Sequence, residues 1–451
     1  MRWLTHHFPS LAFRATSPQG RGAISPLPWG EGEGARGSAS HYAVYILIIS
    51  ILTIPIARAA DTDLSGSLRL GYFTSSRHLD ETNNVLGASV DFELRHYFDS
   101  GQRFDLDMRL LREDFRREGN DEMRLQGAYW SARFDSIDLR IGQQKIRWGK
   151  ADGINPTDFF TPIDFTTLLP LEADRYQSIP AARVDVQLDD ASSLSLVVSP
   201  GFTPTKLPWP RHAPVAVNDD EPSGWRRPQF GMRYLQTGPS MDWSVCAFRG
   251  FSTLPVLTLT GVESQGVPRY QRYYPRSAGF GVDIARTLGQ WGVRAELAYT
   301  KIEAPDARQP VASSIFLVAG VDRFIDTWNI NVQGLLRHTP SYQTTLAAGD
   351  PLEAVAATQN AIIYGQQERV TPGMTLRVGK SGWHETLQAE LLAIAYFRPA
   401  SYAVRPLVTY AVSDQVKVRG GVEYYHGPAD SYFGLLERNR MMFVEVERYF
   451  E

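Results

Sequence analysis

The feature that most constrains this chain is a period-2 alternation of apolar and charged side chains, repeated from Leu64 to Phe450. The clearest copy sets Leu86, Ala88, Val90, Phe92 and Leu94 against Ser89, Asp91, Glu93 and Arg95. The turn Asp99-Ser100-Gly101-Gln102 follows, and the pattern resumes with Phe104, Leu106, Met108 and Leu110 against Arg103, Asp105, Asp107 and Arg109. Alternate residues of a β-strand face opposite sides. A face of Asp, Glu and Arg cannot be packed as a core, because an unpaired buried charge costs several kcal/mol. Each strand therefore has water on one face and an apolar medium on the other, which is the pattern of an all-β transmembrane antiparallel barrel. A soluble sandwich or propeller would put apolar residues between its sheets, with no need for arginine and aspartate to face one another along successive strands.

The rest of the composition is compatible with that fold. Mean hydropathy is −0.25, and no run reaches the roughly 18 apolar residues of a membrane helix. Barrel strands average a polar and an apolar face, so neither fact speaks against a membrane. The 20 tyrosines and 10 tryptophans suit interfacial aromatic belts. The single cysteine, Cys246, excludes an intramolecular disulfide, and its sequence WSVCAF reads as a small apolar strand position. No cofactor and no metal site are expected.

Residues 42–56, YAVYILIISILTIPI, have the short apolar core of a signal peptide, ended by the small-x-small pattern Ala57-Arg58-Ala59. A membrane anchor helix is the competing reading, but the run is short and Pro55 interrupts it. The expected organisation is a Pro/Gly-rich, non-structural extension at 1–41, a signal peptide at 42–59 and one barrel domain at 60–451. Cleavage after Ala59 would remove five of 46 basic and two of 49 acidic residues, taking the formal charge from −3 to −6. Mild acidity argues against nucleic-acid binding. The expected partners are outer-membrane lipid and lipopolysaccharide, with the bacterial barrel-assembly machinery during biogenesis. The last segment ends Tyr449-Phe450-Glu451, similar to the aromatic-terminated strand that this machinery reads, with one extra residue.

Connections alternate short and long. Short turns fall near 99–102, 135–136, 189–192, 237–240, 286–290, 322–327, 379–383 and 413–415. Longer connections fall near 75–84, 115–122, 149–178, 202–227, 252–274, 302–313, 338–363 and 427–438, with one tight connection at 397–400. The count is about eighteen strands; sixteen is the alternative, because 313–327 and 364–379 alternate poorly. In outer-membrane barrels short turns face the periplasm and long loops face outside. The outward set is expected to hold Leu86/Val90/Phe92, Phe104/Leu106/Leu110, Ala182/Val184/Val186/Leu188, Trp291/Val293/Leu297 and Val416/Val418/Val422. Aromatics near strand ends, among them Tyr72, Tyr97, Phe134, Trp291, Tyr299, Trp328, Phe397, Tyr424 and Tyr449, are expected to form two interfacial girdles.

The most distinctive stretch is Arg140 to Pro170, RIGQQKIRWGKADGINPTDFFTPIDFTTLLP. Ile137, Leu139 and Ile141 share a face, whereas Ile146 and Trp148 have the opposite parity, so a bulge or strand end is expected near Gly142. The third external loop follows. Its Phe159, Phe160 and Phe165 imply a packed structure rather than a loose flap. One reading is a constriction in which Lys145, Arg147 and Lys150 meet Asp152, Asp158 and Asp164 across a narrowed pore. The other is a structural plug whose charges pair with the wall. With the wall residues Asp91, Glu93, Arg95, Asp105, Asp107, Arg109 and Arg140, these are the candidate lumen residues.

The motif Arg140-x-Gly142-x-Gln144-x-Ile146-x-Trp148-Gly149, followed by Asn155-Pro156-x-Asp158, resembles that of an uncharacterised family of proteobacterial outer-membrane barrels in the porin and alginate-export-like group. The closing segment from Ser431-Tyr432-Phe433-Gly434 through Asn439-Arg440 to Arg448-Tyr449-Phe450 is similar to that family's last hairpin. The resemblance spans about 61–451. It implies an outer-membrane barrel and brings no substrate or catalytic residues.

The function expected is a porin-like channel or exporter for hydrophilic solutes, not an enzyme, with a charged lumen narrowed by the 143–178 loop. The alternatives are a plugged, non-conducting partner of an export or lipid-trafficking system and, less favoured, a lipid hydrolase built on His338 and Ser341. The acidic run Asp219-Asp220-Glu221 lacks the ligand spacing of an EF-hand and reads as a solvated loop.

Overall fold

A computed structural model describes residues 61–75, 83–115, 121–208, 216–219, 227–263, 266–303, 311–343 and 350–451. The extension, signal peptide and cleavage site expected before residue 60 lie outside the described residues. Eighteen antiparallel strands form one sheet, from Thr62–Ser75 to Met441–Phe450. Each strand pairs with its chain neighbours in the barrel. The first and last strands close the circle from Gly66↔Phe450 to Ser75↔Met441.

The connections follow the expected alternation. Short turns occupy 98–102, 135–136, 188–191, 237–240, 289–290, 326–327, 383–386 and 412–415. At the two-residue turns Asp135 and Asp326 take φ of 50° and 51°, a left-handed conformation that aspartate tolerates better than most residues. The external loops are L1 (76–83), L2 (113–120), L3 (145–178), L4 (200–228), L5 (252–275), L6 (304–313), L7 (339–369), L8 (398–399) and L9 (427–440). Both chain ends of the barrel therefore lie with the short turns.

The outward face is apolar. Leu86, Ile141, Leu188, Phe280, Leu297, Leu336 and Val446 are all well exposed on the outer surface. Tyr72, Tyr299, Phe397 and Tyr424 stand exposed toward the loop ends, and Phe134, Trp291 and Trp328 toward the turn ends. Tyr449 departs from the expected girdle. It shares parity with the buried Glu445 and Glu447, accepts a hydrogen bond from Arg419 at 3.2 Å and donates to Glu447 at 2.5 Å, all on the lumen face. Tyr97 likewise shares parity with Glu93 and Arg95 rather than with Phe92 and Leu94.

Two structured external segments were not foreseen. Three short strands, Ala216–Asp219, Val256–Val262 and Pro268–Tyr273, form a separate small sheet in L4 and L5. In L7 an α-helix, α1, runs Pro351–Ile363. Asp350 caps it by accepting from the Leu352 N–H at 2.8 Å, with proline at the start where its missing N–H is harmless. Asn360 ties α1 to the sheet through a two-way exchange with the Leu257 backbone at 2.7 and 2.9 Å. Of the acidic run, Asp219 ends a strand, and Asp220 and Glu221 lie outside the described residues.

Candidate functional site

The inner wall has two unlike sectors. In the first, charges of alternating sign run across neighbouring strands. Arg419 donates to Glu445 at 2.8 Å and pairs with Glu447 at 2.5 Å; Arg69 donates to Glu447 at 2.9 Å; Arg109 donates to Asp91 at 2.5 Å. In the second, the inward positions toward the loop end are small or apolar, Ala181, Val197, Gly231, Cys246, Phe248, Gly279 and Gly281, while Arg183 with Asp185 and Arg233 with Asp283 form inward ion pairs farther toward the turns.

L3 folds into the lumen and docks on the second sector. The wall strand Ile137–Gln144 contains Gly142 with φ 137°, where a Cβ would lie 2.2 Å from the Ala128 carbonyl oxygen. Beyond it the chain leaves the sheet and Ile146 and Trp148 become almost fully buried. Phe160 packs edge-on to Trp148 at 5.3 Å and to Phe248 at 4.9 Å, and Phe159 stacks on Phe248 at 5.7 Å. The wall glycines make this approach feasible. A Cβ on Gly231 would meet the Phe160 ring at 2.4 Å, and one on Gly279 would meet Phe159 at 2.5 Å.

Polar contacts then carry L3 across the barrel. The Lys150 and Ala151 N–H groups both donate to one oxygen of Glu296, and the Thr157 hydroxyl donates to the other at 3.0 Å. Asp152 accepts from Arg294 at 2.9 Å and Asn331 at 2.7 Å. The short helical turn Glu172–Arg175 reaches the opposite wall. There Asp174 accepts from Arg69 and Arg109, both at 2.8 Å, and Arg175 donates to Glu423 at 2.5 Å, while Glu172 accepts at 2.9 Å from Arg377, the neighbour of Asn331 in the sheet. The strands holding Glu296 and Asn331 lie roughly half a circumference from those holding Arg69 and Arg109, so L3 spans the lumen.

Two carboxyls on L3 are shifted in opposite directions. Burial pushes Asp158 up to about 7, against the Thr161 hydroxyl bond and the nearby Arg147. Burial alone would also raise Asp174, but Arg109 and Arg69 outweigh it and hold that carboxyl below the ordinary range.

The residues singled out in sequence are distributed as follows. Asp91, Asp105, Asp107, Arg109 and Arg140 all take the lumen parity. Asp105 accepts from Arg103 at 2.7 Å, and Arg140 stands beside Arg183 on the next strand. Glu93 and Arg95 are more exposed, lie toward the turn end of the strand and pair with each other at 3.4 Å. The L3 charges do not meet one another across a gap. Lys150 pairs with the wall residue Asp242 at 3.1 Å, and Asp152 pairs with the wall. Asp164 lies 3.2 Å from Arg124 and 3.3 Å from Lys206. Arg147 and Asp158 approach to 3.8 Å within the loop itself, and the Arg147 guanidinium also lies 3.8 Å over the Tyr176 ring. Lys145 faces Asp107 and Arg109. Sequence reasoning missed Arg69, Asp174, Glu296, Arg294, Arg377 and Glu447; lumen parity was the available signal for all but Asp174, which lies in L3. His338 ends a wall strand and Ser341 is exposed in L7, with no hydrogen bond between them among the described residues.

The sequence profile of a family described as a protein of unknown function, DUF1302, matches residues 75–316. A comparison with the curated proteins finds no match. Among solved structures, the outer membrane protein OpdK from Pseudomonas aeruginosa is similar with a TM-score of 0.53 and 10% identity, covering 87% of this chain and 100% of its own. OccAB3 from Acinetobacter baumannii gives 0.53 and 10%, covering 87% and 100%. OccK3 (OpdO) from Pseudomonas aeruginosa gives 0.51 and 12%, covering 86% and 95%. These likenesses show the fold, a closed antiparallel β-barrel similar to those of these outer membrane proteins.

Proposed function

The chain belongs to the DUF1302 family, and from that premise we propose that it is an outer-membrane channel whose charged lumen is narrowed by L3. The observation that carries this reading is that L3 is bound to opposite walls of an eighteen-stranded barrel. A barrel of this strand number encloses an aqueous lumen unless it is filled. The narrowed path would be bordered by the alternating charges of Arg419, Glu447, Arg69, Asp91 and Arg109, and rings of such groups govern which ions pass. Solutes would cross by diffusion, with no catalytic step assigned to the chain.

One observation favours a second reading, a plugged barrel that serves as an outer-membrane partner: Lys150, Asp152, Glu172, Asp174 and Arg175 are all paired with wall residues. Single-channel recording in planar bilayers separates the two. The channel reading expects discrete conductance that rises when residues 150–178 are replaced by a short Gly/Ser linker. Absence of conductance both before and after that replacement in a folded barrel overturns it.

A further inference from the structure

A cavity of 910 Å³ lies on the external side of L3, roofed by residues of L4, L5, L7 and L9. Unlike the wall beside Asp174, its lining is rich in aromatic and aliphatic side chains, among them Leu257, Phe316, Tyr396, Tyr432 and Phe433. Tyr432 and Phe433 lie edge-to-face at 5.1 Å, and Tyr396 stacks near Phe433 at 5.8 Å. The size is that of a small-molecule pocket, which typically runs to roughly 300–1,000 Å³.

Besides the exposed Arg398 of L8, one wall cation opens into this chamber with no counter-ion among the described residues. Arg337 sits near the external end of the strand Trp328–His338, with the lumen parity of Gln333 and Leu335. Its guanidinium lies 4.1 Å over the Phe316 ring and makes only a long 3.4 Å bond to the Ser314 hydroxyl. The ionisable groups that face it are Tyr396 and Tyr432, neutral at ordinary pH. Among the described residues no carboxylate lies within ion-pair distance of it. Arg69, Arg109, Arg377, Arg405 and Arg419 each have one. A charge withdrawn from water without a partner is costly, and stacking on one ring offsets only part of that cost. Ionisable groups kept in such places inside membrane proteins mark ligand sites.

We propose that this chamber binds an amphipathic anion, with its single carboxylate or sulfonate on Arg337 and its apolar body against Phe316, Tyr396, Tyr432 and Phe433. A sugar acid would satisfy the arginine but leave its hydroxyls against aromatic faces. A neutral hydrocarbon would fill the chamber and leave the arginine unpaired. The site stands whether or not the barrel conducts.

The test is calorimetric titration of the full barrel in phosphatidylcholine nanodiscs, with empty nanodiscs as the partition control. The probes are 1-naphthoate, its neutral analogue 1-naphthalenemethanol, and gluconate. Naphthoate should bind at least tenfold more tightly than either comparator. Arg337→Gln should weaken naphthoate at least tenfold, and Arg337→Lys should weaken it less. Val355→Trp, which fills the chamber from the exposed side of α1, should abolish binding with Arg337 intact. The proposal is overturned if gluconate or the neutral analogue binds as well as naphthoate, or if folded Arg337→Gln binds it unchanged. If Arg337→Gln fails to fold, unchanged binding in Val355→Trp overturns it instead. Conductance recorded on the same preparations reports on the channel separately, so either idea can fail alone.

Discussion

The two sectors of the inner wall are filled by opposite means. Along Thr62–Arg112 and Val416–Phe450 the inward residues are long and charged. They neutralise one another strand by strand, and L3 adds one more anion, Asp174, between two arginines. At the loop ends of Ile179–Ser199, Gln229–Phe251 and Arg276–Leu288 the inward residues are mostly alanine, valine and glycine, and the loop supplies the bulk with Trp148, Phe159 and Phe160. A wall that faces water can be read from its own strands, whereas a wall that faces a docked loop is complementary to residues distant in sequence. The loop is thus held chiefly by aromatic packing on one side and chiefly by charge on the other, where Leu168 adds a smaller apolar contact with Phe73, Val85, Met441 and Phe443, and the two attachments should respond differently to perturbation.

The largest effect is expected on the packed side. Phe160→Ala should weaken L3 docking by about 3–5 kcal/mol, the usual cost of truncating a buried aromatic. Limited trypsinolysis at Lys150 and Arg175 in the folded barrel reports it; a loop as protected as in the wild type would show that packing is not what anchors it. On the charged side Asp174→Asn should cost about 2 kcal/mol, because Arg69 and Arg109 keep Glu447 and Asp91 as partners. If it loosens the loop more than Phe160→Ala does, the order of the two attachments is reversed.

The smallest effect is a pH dependence of opposite sign at the two carboxyls. Asp174, held below the ordinary carboxylate range, contributes stability that is present above about pH 4 and lost only as pH falls through its lowered value. Asp158, pushed up to about 7, binds a proton more readily in the docked loop than when released, so its contribution weakens as pH rises from about 4 to 7. L3 protection should therefore be greatest near about pH 4 and decline until about pH 7. Asp158→Asn should remove that decline; a slope that survives the substitution would assign it to another group.

The limits of the sequence reading fall along the same boundary. The eighteen strands, the side each turn lies on and the charged lumen face at Asp91, Asp105 and Arg109 were legible, because opposite charges face one another on neighbouring strands there. The stretch 313–327 alternates poorly for a physical reason. Phe316 and Val318 point inward and are buried with Ala151 of L3, so both faces of that strand are apolar. The parity slip after Ile141 correctly located the end of the wall, since the strand stops at Gln144. The partners of the L3 charges were not legible. Asp152 and Asp174 find arginines 142 and 105 residues away along the chain, and no local pattern encodes such distances.

What the sequence determined by itself is the class of object: long strands with one apolar and one charged face, opposite charges facing across neighbours and short and long connections in turn, are the pattern of a closed sheet between water and lipid. What only the tertiary structure decided is the content of the barrel. Whether a loop lies over the rim or inside the lumen depends on the fit of its aromatic residues to glycine-lined wall positions, and on whether an arginine such as Arg337 ends beside a carboxylate or beside tyrosines. Both are properties of which strands face each other across the circle, and alternation along one strand carries no information about its opposite.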